Sequence, residues 1–91
     1  MLFIVTYDIV DDRRRIRLAK AIKDFGNRVQ YSVFECLMGA KEFAKMTGRI
    51  AEIIDHEEDS VRIYKLCAEC EGKLEIIGSG ARTEDPEVYI I

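Results

Sequence analysis

The sequence predicts a small mixed α/β domain in which short apolar strands alternate with amphipathic helices. Two observations support this class: apolar and β-branched residues fill the run from Leu2 to Tyr7, and apolar residues recur at helical spacing in two later segments. A length of 91 residues with 48% hydrophobic content fits one domain spanning residues 1–91. No apolar run approaches the ~20 residues of a membrane span. We therefore expect a cytoplasmic protein without a membrane partner.

The first strand is apolar on both faces and ends at Asp8. Leu2 and Ile4 point to one side, and the odd-numbered residues from Phe3 to Tyr7 point to the other. A strand of this kind is covered on both faces of its sheet. Because so short a chain has helices to spare for only one face, a second subunit is the simplest cover for the other. We therefore expect a homodimer.

The first helix is predicted to begin at Asp11 or Asp12 and to end before Gly26 and Asn27. Its apolar face consists of Leu18, Ala21, Ile22 and Phe25. The opposite face is basic: residues 11–28 hold seven Lys or Arg against three Asp, a net charge of +4, whereas the rest of the chain carries −7. Such a stripe can bind phosphates although the whole chain is acidic. A solvated helix face is the alternative interpretation.

The later elements follow the same patterns. They comprise an extended stretch in the sheet interior from Arg28 to Met38, a helix from Lys41 to Ile54, an acidic loop from Asp55 to Asp59 and a strand from Ser60 to Leu66. A turn at residues 71–73 then leads to a strand from Leu74 to Ile77. The apolar tail from Val88 to Ile91 is too short to fold alone, so we expect it to pair with a sheet edge as a C-terminal strand.

Four segments, taken in order, resemble the CRISPR-associated Cas2 family: Tyr7 to Ile9, Asp11 to Arg17, Arg28 to Glu35, and Asp59 to Tyr64. The resemblance spans nearly the full length, and the run from Gln30 to Glu35 is its most specific part. It implies a ferredoxin-like βαββαβ fold with an extra C-terminal strand, and a homodimer whose two sheets face each other. Such a chain needs a hairpin between its two helices, yet residues 28–38 contain no Gly, Pro, Asn or Asp to mark its turn.

The resemblance also implies a function. Members of the family act with the Cas1 integrase when spacers are captured into a CRISPR array, and several are metal-dependent endonucleases on DNA or RNA. Asp8 matches the proposed catalytic and metal-binding acid, with Mg²⁺ or Mn²⁺ as the ion. Mg²⁺ keeps several of its waters, so one or two carboxylates can be enough to bind it. In a dimer whose two-fold axis brought two Asp8 side chains together, the second Asp8 would be the second ligand. Alternatively, Asp8 satisfies loop amides or caps the following helix.

Other residues of the matching segments are candidates for nucleic-acid contact. The resemblance implies this role for Arg15, Arg17 and Arg28, and Arg14 lies beside them. Arg14 and Arg15 flank the apolar stripe in the first turn of the helix, from where they could reach the Asp8 end of the strand. Forked guanidinium groups suit phosphate oxygens. Ser32 and Phe34 fall within the same motif. For Phe34, a buried sheet aromatic is an alternative to base stacking or a role in a dimer groove.

Cys67 and Cys70 form half of a zinc-binding pattern, but the sequence offers no second half. The loop predicted around them also lacks the strand-to-helix setting of a redox motif.

Two function classes stay open, because both need the same phosphate-binding surface: a nuclease that uses Asp8, and a non-catalytic dimeric adaptor that holds DNA for the integrase. A third class, a ferredoxin-like regulatory domain that binds a metabolite, is disfavoured by the density of arginines in the first helix.

Overall fold

The computed structural model describes residues 1–81 and residue 83. Its elements are β1 (Leu2–Asp8), α1 (Asp12–Lys23), β2 (Asn27–Gln30), β3 (Val33–Leu37), α2 (Ala40–Ile53), β4 (Ser60–Leu66) and α3 (Ala68–Gly72). The four strands form one antiparallel sheet in the order β2-β3-β1-β4. This is the ferredoxin-like arrangement, which confirms the predicted fold class. The predicted C-terminal strand, residues 88–91, lies outside the described residues.

The core lies between one face of the sheet and helices α1 and α2. Phe3, Val5 and Tyr7 of β1 are buried there. The helices contribute their apolar stripes, which confirms that interpretation of both patterns: Leu18, Ala21 and Ile22 from α1, and Met46 and Ile50 from α2, with Phe25, Phe43, Ile53 and Ile54 packed around them. No helix in the described part of the chain is long and apolar enough to cross a bilayer.

The opposite face of the sheet, which we call the open face, carries the even-numbered residues of β1. Ile4 lies between Glu35 and Tyr64, Thr6 lies between Val33 and Arg62, and Asp8 pairs with Ser60. Helix α3 and Leu74 line a cavity over the Leu2 end of this face, where Leu2 is buried. The Asp8 end is exposed. The open face is therefore covered at its Leu2 end and exposed at its Asp8 end, where it carries a carboxylate.

The hairpin between α1 and α2 turns at Tyr31 and Ser32, inside the stretch predicted to be one interior strand. That prediction was wrong for β2, which is the edge strand and has all four residues exposed. The turn contains no glycine and no positive φ angle. It is held instead from β1, because the backbone N–H of Tyr7 donates to the Ser32 carbonyl (3.2 Å) and its hydroxyl donates to the Tyr31 carbonyl (3.3 Å). The turn is therefore stabilised by contacts with β1 rather than by a glycine of its own.

The chain after β4 differs from the prediction in two respects. Residues 68–72 form the short helix α3 where a loop was predicted, and residues 74–77 are not a strand. Alanine and glutamate favour a helical turn here, and the Glu71 backbone N–H closes it on the Cys67 carbonyl at 2.9 Å. This turn sends Leu74 toward the cavity beside Leu2 rather than along a sheet edge.

Candidate functional site

Asp8 is exposed at the end of the central strand β1, on the open face, and its side chain forms no hydrogen bond or ion pair with any other described residue. The two structural roles considered for it belong to other residues. Asp11 caps α1 by accepting from the Arg14 backbone N–H at 2.9 Å, and Asp59 accepts from the Val10 backbone N–H at 3.0 Å. Within the described chain, the Asp8 carboxylate is therefore available for a ligand.

Asp59 is a residue whose importance the sequence did not reveal. The predicted acidic loop is present, but the side chain of Asp59 is 0% exposed. Its carboxylate accepts from Arg14 Nε at 2.8 Å and from the Asp55 backbone N–H at 2.8 Å, in addition to the Val10 amide. The hydrogen bond from Arg14 holds the pKa of Asp59 well below its usual range. Asp59 thereby joins three segments around the backbone that follows Asp8.

The arginines at the start of α1 are largely engaged within the chain. Arg14 binds Asp59 and also contacts Glu58 at 3.3 Å, which occupies Nε and Nη2. Arg15 forms an ion pair with Asp12 at 2.8 Å, and its Nη2 donates to the Ile9 carbonyl at 3.1 Å. Both side chains reach toward the Asp8 end of β1, as the sequence suggested, and both stabilise the backbone there. Their predicted contact with nucleic acid stays a prediction.

Arg17 differs from these two, because its side chain forms no hydrogen bond or ion pair with another described residue. It lines a groove between α1 and α2 together with Lys20 and Arg49, and also with Asp24 and Glu52. Arg49 pairs with Asp24 at 2.9 Å, which leaves Arg17 and Lys20 as the cationic side chains of the groove without a partner among the described residues. This groove lies in the helical layer, on the other side of the sheet from the open face and Asp8. The basic stripe of α1 and the Asp8 end of the open face are therefore two separate surfaces.

Arg28 closes the β2–β3 hairpin. Its Nε donates to the Tyr31 carbonyl at 3.1 Å, its Nη2 donates to the Tyr7 hydroxyl at 3.3 Å, and its guanidinium lies 5.4 Å from the centre of the Phe34 ring. Phe34 is 1% exposed and belongs to the core. Ser32 lies in the turn and accepts from the Tyr7 backbone N–H. The structure thus favours a core role for Phe34 over base stacking.

One chain alone offers a divalent cation few side-chain ligands. No group of three or more His, Cys, Asp or Glu side chains in the described residues could hold a metal ion. The hard oxygens of Asp8 nevertheless suit Mg²⁺ or Mn²⁺, which keep several waters and can be bound by one or two carboxylates together with substrate phosphate. The donor set fits such an ion best when a second Asp8 comes from another copy of the chain.

The three cysteines occupy two environments. Cys36 is buried in the core, and burial, together with the nearby charge of Glu35, raises its pKa to about 11. Cys67 and Cys70 are exposed, and they lie at a junction between strand β4 and helix α3 where a loop was predicted. The nearby amide and thiol of Cys70 lower the pKa of Cys67, and contact with the Cys67 thiol raises the pKa of Cys70.

Comparison with known proteins adds to this geometry. Residues 1–74 match the family model for CRISPR-associated protein Cas2. The chain is 42% identical over 91 residues to a CRISPR-associated endoribonuclease Cas2 of Chloroflexus aurantiacus. This alignment covers 100% of this chain and 98% of the relative.

Solved structures agree with the sequence match. The crystal structure of Streptococcus pyogenes Cas2 superposes with a TM-score of 0.75 at 37% identity, covering 86% of this chain and 100% of that one. A chain in a partial Cas6-RT-Cas1–Cas2 complex superposes with a TM-score of 0.73 at 26% identity, covering 84% of this chain and 89% of that one. With this fold, an aspartate at the end of the central strand and these relatives, the chain belongs to the Cas2 family of CRISPR-associated proteins.

Proposed function

We propose that this protein is a dimeric, Mg²⁺-dependent endonuclease that binds nucleic acid and acts with a Cas1 integrase in spacer acquisition. The observation that carries the nuclease proposal is the exposed Asp8 carboxylate, which has no structural partner among the described residues. The name of the Chloroflexus relative, an endoribonuclease, supports the reaction. The complex that contains Cas1 and Cas2 supports the partner.

The open face is the surface through which we propose that two copies associate. Ile4 and Tyr64 are cross-strand neighbours near its middle, and Tyr64 is 49% exposed although it is large and partly apolar. A second sheet stacked on this face would bury both side chains. Because Asp8 lies on the same face as Ile4, a two-fold axis through this surface brings two carboxylates to one side of the molecule.

The roles of the chain's own residues follow from this arrangement. When bound, Mg²⁺ would polarise a phosphate and lower the pKa of an attacking water. Asp8 supplies the charged oxygens that hold the ion. The Asp59 carboxylate and the Arg15 guanidinium bind the Val10 amide and the Ile9 carbonyl, and so fix the backbone that follows Asp8. The carboxylate is thus presented from a rigid strand end rather than from a mobile loop.

A non-catalytic adaptor is the second candidate, and a specific observation favours it. Arg17 and Lys20 are exposed in the helical layer and have no partner among the described residues. Because this surface lies on the other side of the sheet from Asp8, it can hold a duplex without bringing it to the carboxylate. Binding and cleavage are therefore separable by mutation.

The experiment compares the wild type with Asp8→Asn and with Glu57→Gln, a control that removes an exposed carboxylate whose side chain has no partner among the described residues. Labelled RNA and DNA are incubated with Mg²⁺ or with a chelator, and sedimentation reports the assembly. We expect Asp8→Asn to abolish metal-dependent cleavage and to keep the dimer, because an amide has the shape of a carboxylate without its charge.

Two outcomes would contradict the nuclease proposal. Cleavage by Asp8→Asn at the wild-type rate would place the chemistry elsewhere. Duplex binding by a wild-type protein that cleaves neither substrate would leave the adaptor function. A stable monomer at micromolar concentration would contradict the dimer.

A further inference from the structure

We propose that Arg62, assisted by Ser60, completes a phosphate-binding site beside Asp8 on the open face. The proposal rests on the function proposed above and deepens it, because it names the group that receives the phosphodiester. Both residues lie in the alternating strand of one matching segment, Asp59 to Tyr64, but the sequence predicts no role for either of them. The register of β1 against β4 is what brings them to Asp8.

The geometry follows from two cross-strand pairs. Asp8 is directly opposite Ser60, and Thr6 is directly opposite Arg62. Directly opposed residues in an antiparallel pair have Cβ atoms about 4.5–5.5 Å apart, and diagonal neighbours lie about 7–8 Å apart, within reach of long side chains. Arg62 is the diagonal neighbour of Asp8 on the same face. A phosphate held at the carboxylate through a cation would therefore lie within reach of the guanidinium.

Arg62 is also the one cationic side chain that the four described strands place on the open face. Of the other basic strand residues, Arg28 pairs with Phe34 and Lys65 pairs with Phe3, and both of these partners belong to the core face. The Arg62 side chain is exposed and forms no hydrogen bond or ion pair with another described residue. In contrast to Arg14, Arg15 and Arg28, its donors are not used within the described chain.

The negative charge expected around Asp8 in a dimer favours a cationic side chain at this position. Two Asp8 carboxylates on one side of a dimer repel each other and also repel the phosphodiester backbone of a substrate. A guanidinium beside each carboxylate offsets this repulsion, and its planar fork matches two phosphate oxygens. The Ser60 hydroxyl, directly opposite Asp8, can donate a further hydrogen bond to a phosphate oxygen or to a water of the bound ion.

The test uses Arg62→Ala and Arg62→Lys, with Lys65→Ala as the matched control, since it removes the same charge from the same strand on the other face. Single-turnover cleavage with Mg²⁺ gives the rate, and fluorescence anisotropy in a chelator gives the affinity for the same labelled strand. We expect Arg62→Ala to lower the cleavage rate by about 100-fold, the loss typical of one electrostatic donor. We expect Lys65→Ala to stay within about twofold, and Arg62→Lys to recover part of the loss because it keeps the charge but not the fork.

The binding readout separates this proposal from the proposed nuclease. If the wild type binds nucleic acid without cleaving it, the nuclease is excluded. Arg62→Ala should then still flatten the plot of log affinity against log salt by about one phosphate contact. If Asp8→Asn abolishes cleavage but Arg62→Ala cleaves and binds as the wild type does, the nuclease stands and the Arg62 site is refuted. Sedimentation showing that Arg62→Ala dissociates the dimer would assign Arg62 to the subunit interface and overturn the proposal as well.

Discussion

The Arg14 guanidinium donates to the buried Asp59 carboxylate through a 2.8 Å hydrogen bond between Nε and Oδ2, which ties the first turn of α1 to the loop before β4. An arginine from the basic stripe thereby becomes part of the fold. The same carboxylate receives two backbone N–H groups. Replacing Asp59 by Asn removes the charge and turns one acceptor oxygen into an N–H donor that faces other donors. This loss gives the first prediction.

Asp59→Asn is expected to lower the melting temperature more than Glu58→Gln, because Glu58 contacts the same guanidinium from an exposed position. The pKa of Asp59 is lowered in the folded protein, so its stabilising contribution is fully present above the ordinary carboxyl pKa and is lost as the pH falls toward the folded value. The difference between wild type and Asp59→Asn should therefore shrink in acid. Thermal unfolding across a pH series measures it, and equal effects of both substitutions would contradict the role assigned to Asp59.

Alanine substitutions at Gly26 and Gly48 are expected to change the free energy of unfolding in opposite directions. A Cβ atom at Gly26 would collide with the backbone of β3, with Glu35 O and with Cys36 Cα (2.8 Å), whereas a Cβ at Gly48, inside α2, meets nothing within 4 Å. Gly26→Ala should therefore reduce the free energy of unfolding by roughly 1–3 kcal/mol. Gly48→Ala should increase it by about 0.5–1 kcal/mol, because alanine is the better helix former. Urea unfolding decides between these signs.

Arg17→Ala is expected to weaken duplex binding at every sequence and to reduce the slope of log affinity against log salt by about 0.9, without changing the melting temperature. The reason is that Arg17 is exposed and makes no described contact that the fold would lose. Lys45→Ala, which removes an exposed charge from α2, is the control. A salt dependence equal to that of the wild type would assign Arg17 to an ordinary solvated surface.

The three thiols should react with iodoacetamide in a fixed order. Cys67 has a lowered pKa and carries more thiolate near neutral pH, so we expect it to react before Cys70, whose pKa is raised. Cys36 should react only after unfolding, because it is buried and its pKa is about 11. Mass spectrometry of timed samples, with and without urea, reports the order. Labelling of Cys36 in the folded protein at the rate of Cys67 would show that the core opens there.

Single-sequence patterns were sufficient for the elements whose burial is set by local periodicity. The apolar run of β1 and the stripes of α1 and α2 predicted the core, because a helix with one apolar stripe buries that stripe against an apolar sheet. The position of Asp8 at the end of β1 follows from the point where this apolar run stops. The candidate acid was therefore visible before any tertiary contact was known.

The hairpin shows where this reasoning ends. Tyr31 and Ser32 turn without glycine, and the groups that hold them come from Tyr7 and Arg28. The residue that stabilises the turn most directly is thus more than 20 positions away. A local pattern contains no trace of such a contact, which is why β2 and β3 were predicted as one strand.

The candidate site, like the fold, could be predicted only in part from the sequence. The sequence alone determined that a carboxylate ends the first strand and that a basic helix follows it, since both are properties of neighbouring residues. Only the tertiary structure decided that Asp59 is buried beneath Arg14, and that Ser60 and Arg62 stand beside Asp8. The physical reason is that strand register and the desolvation of a charge depend on which distant segments pack together, and that choice is made by the whole core.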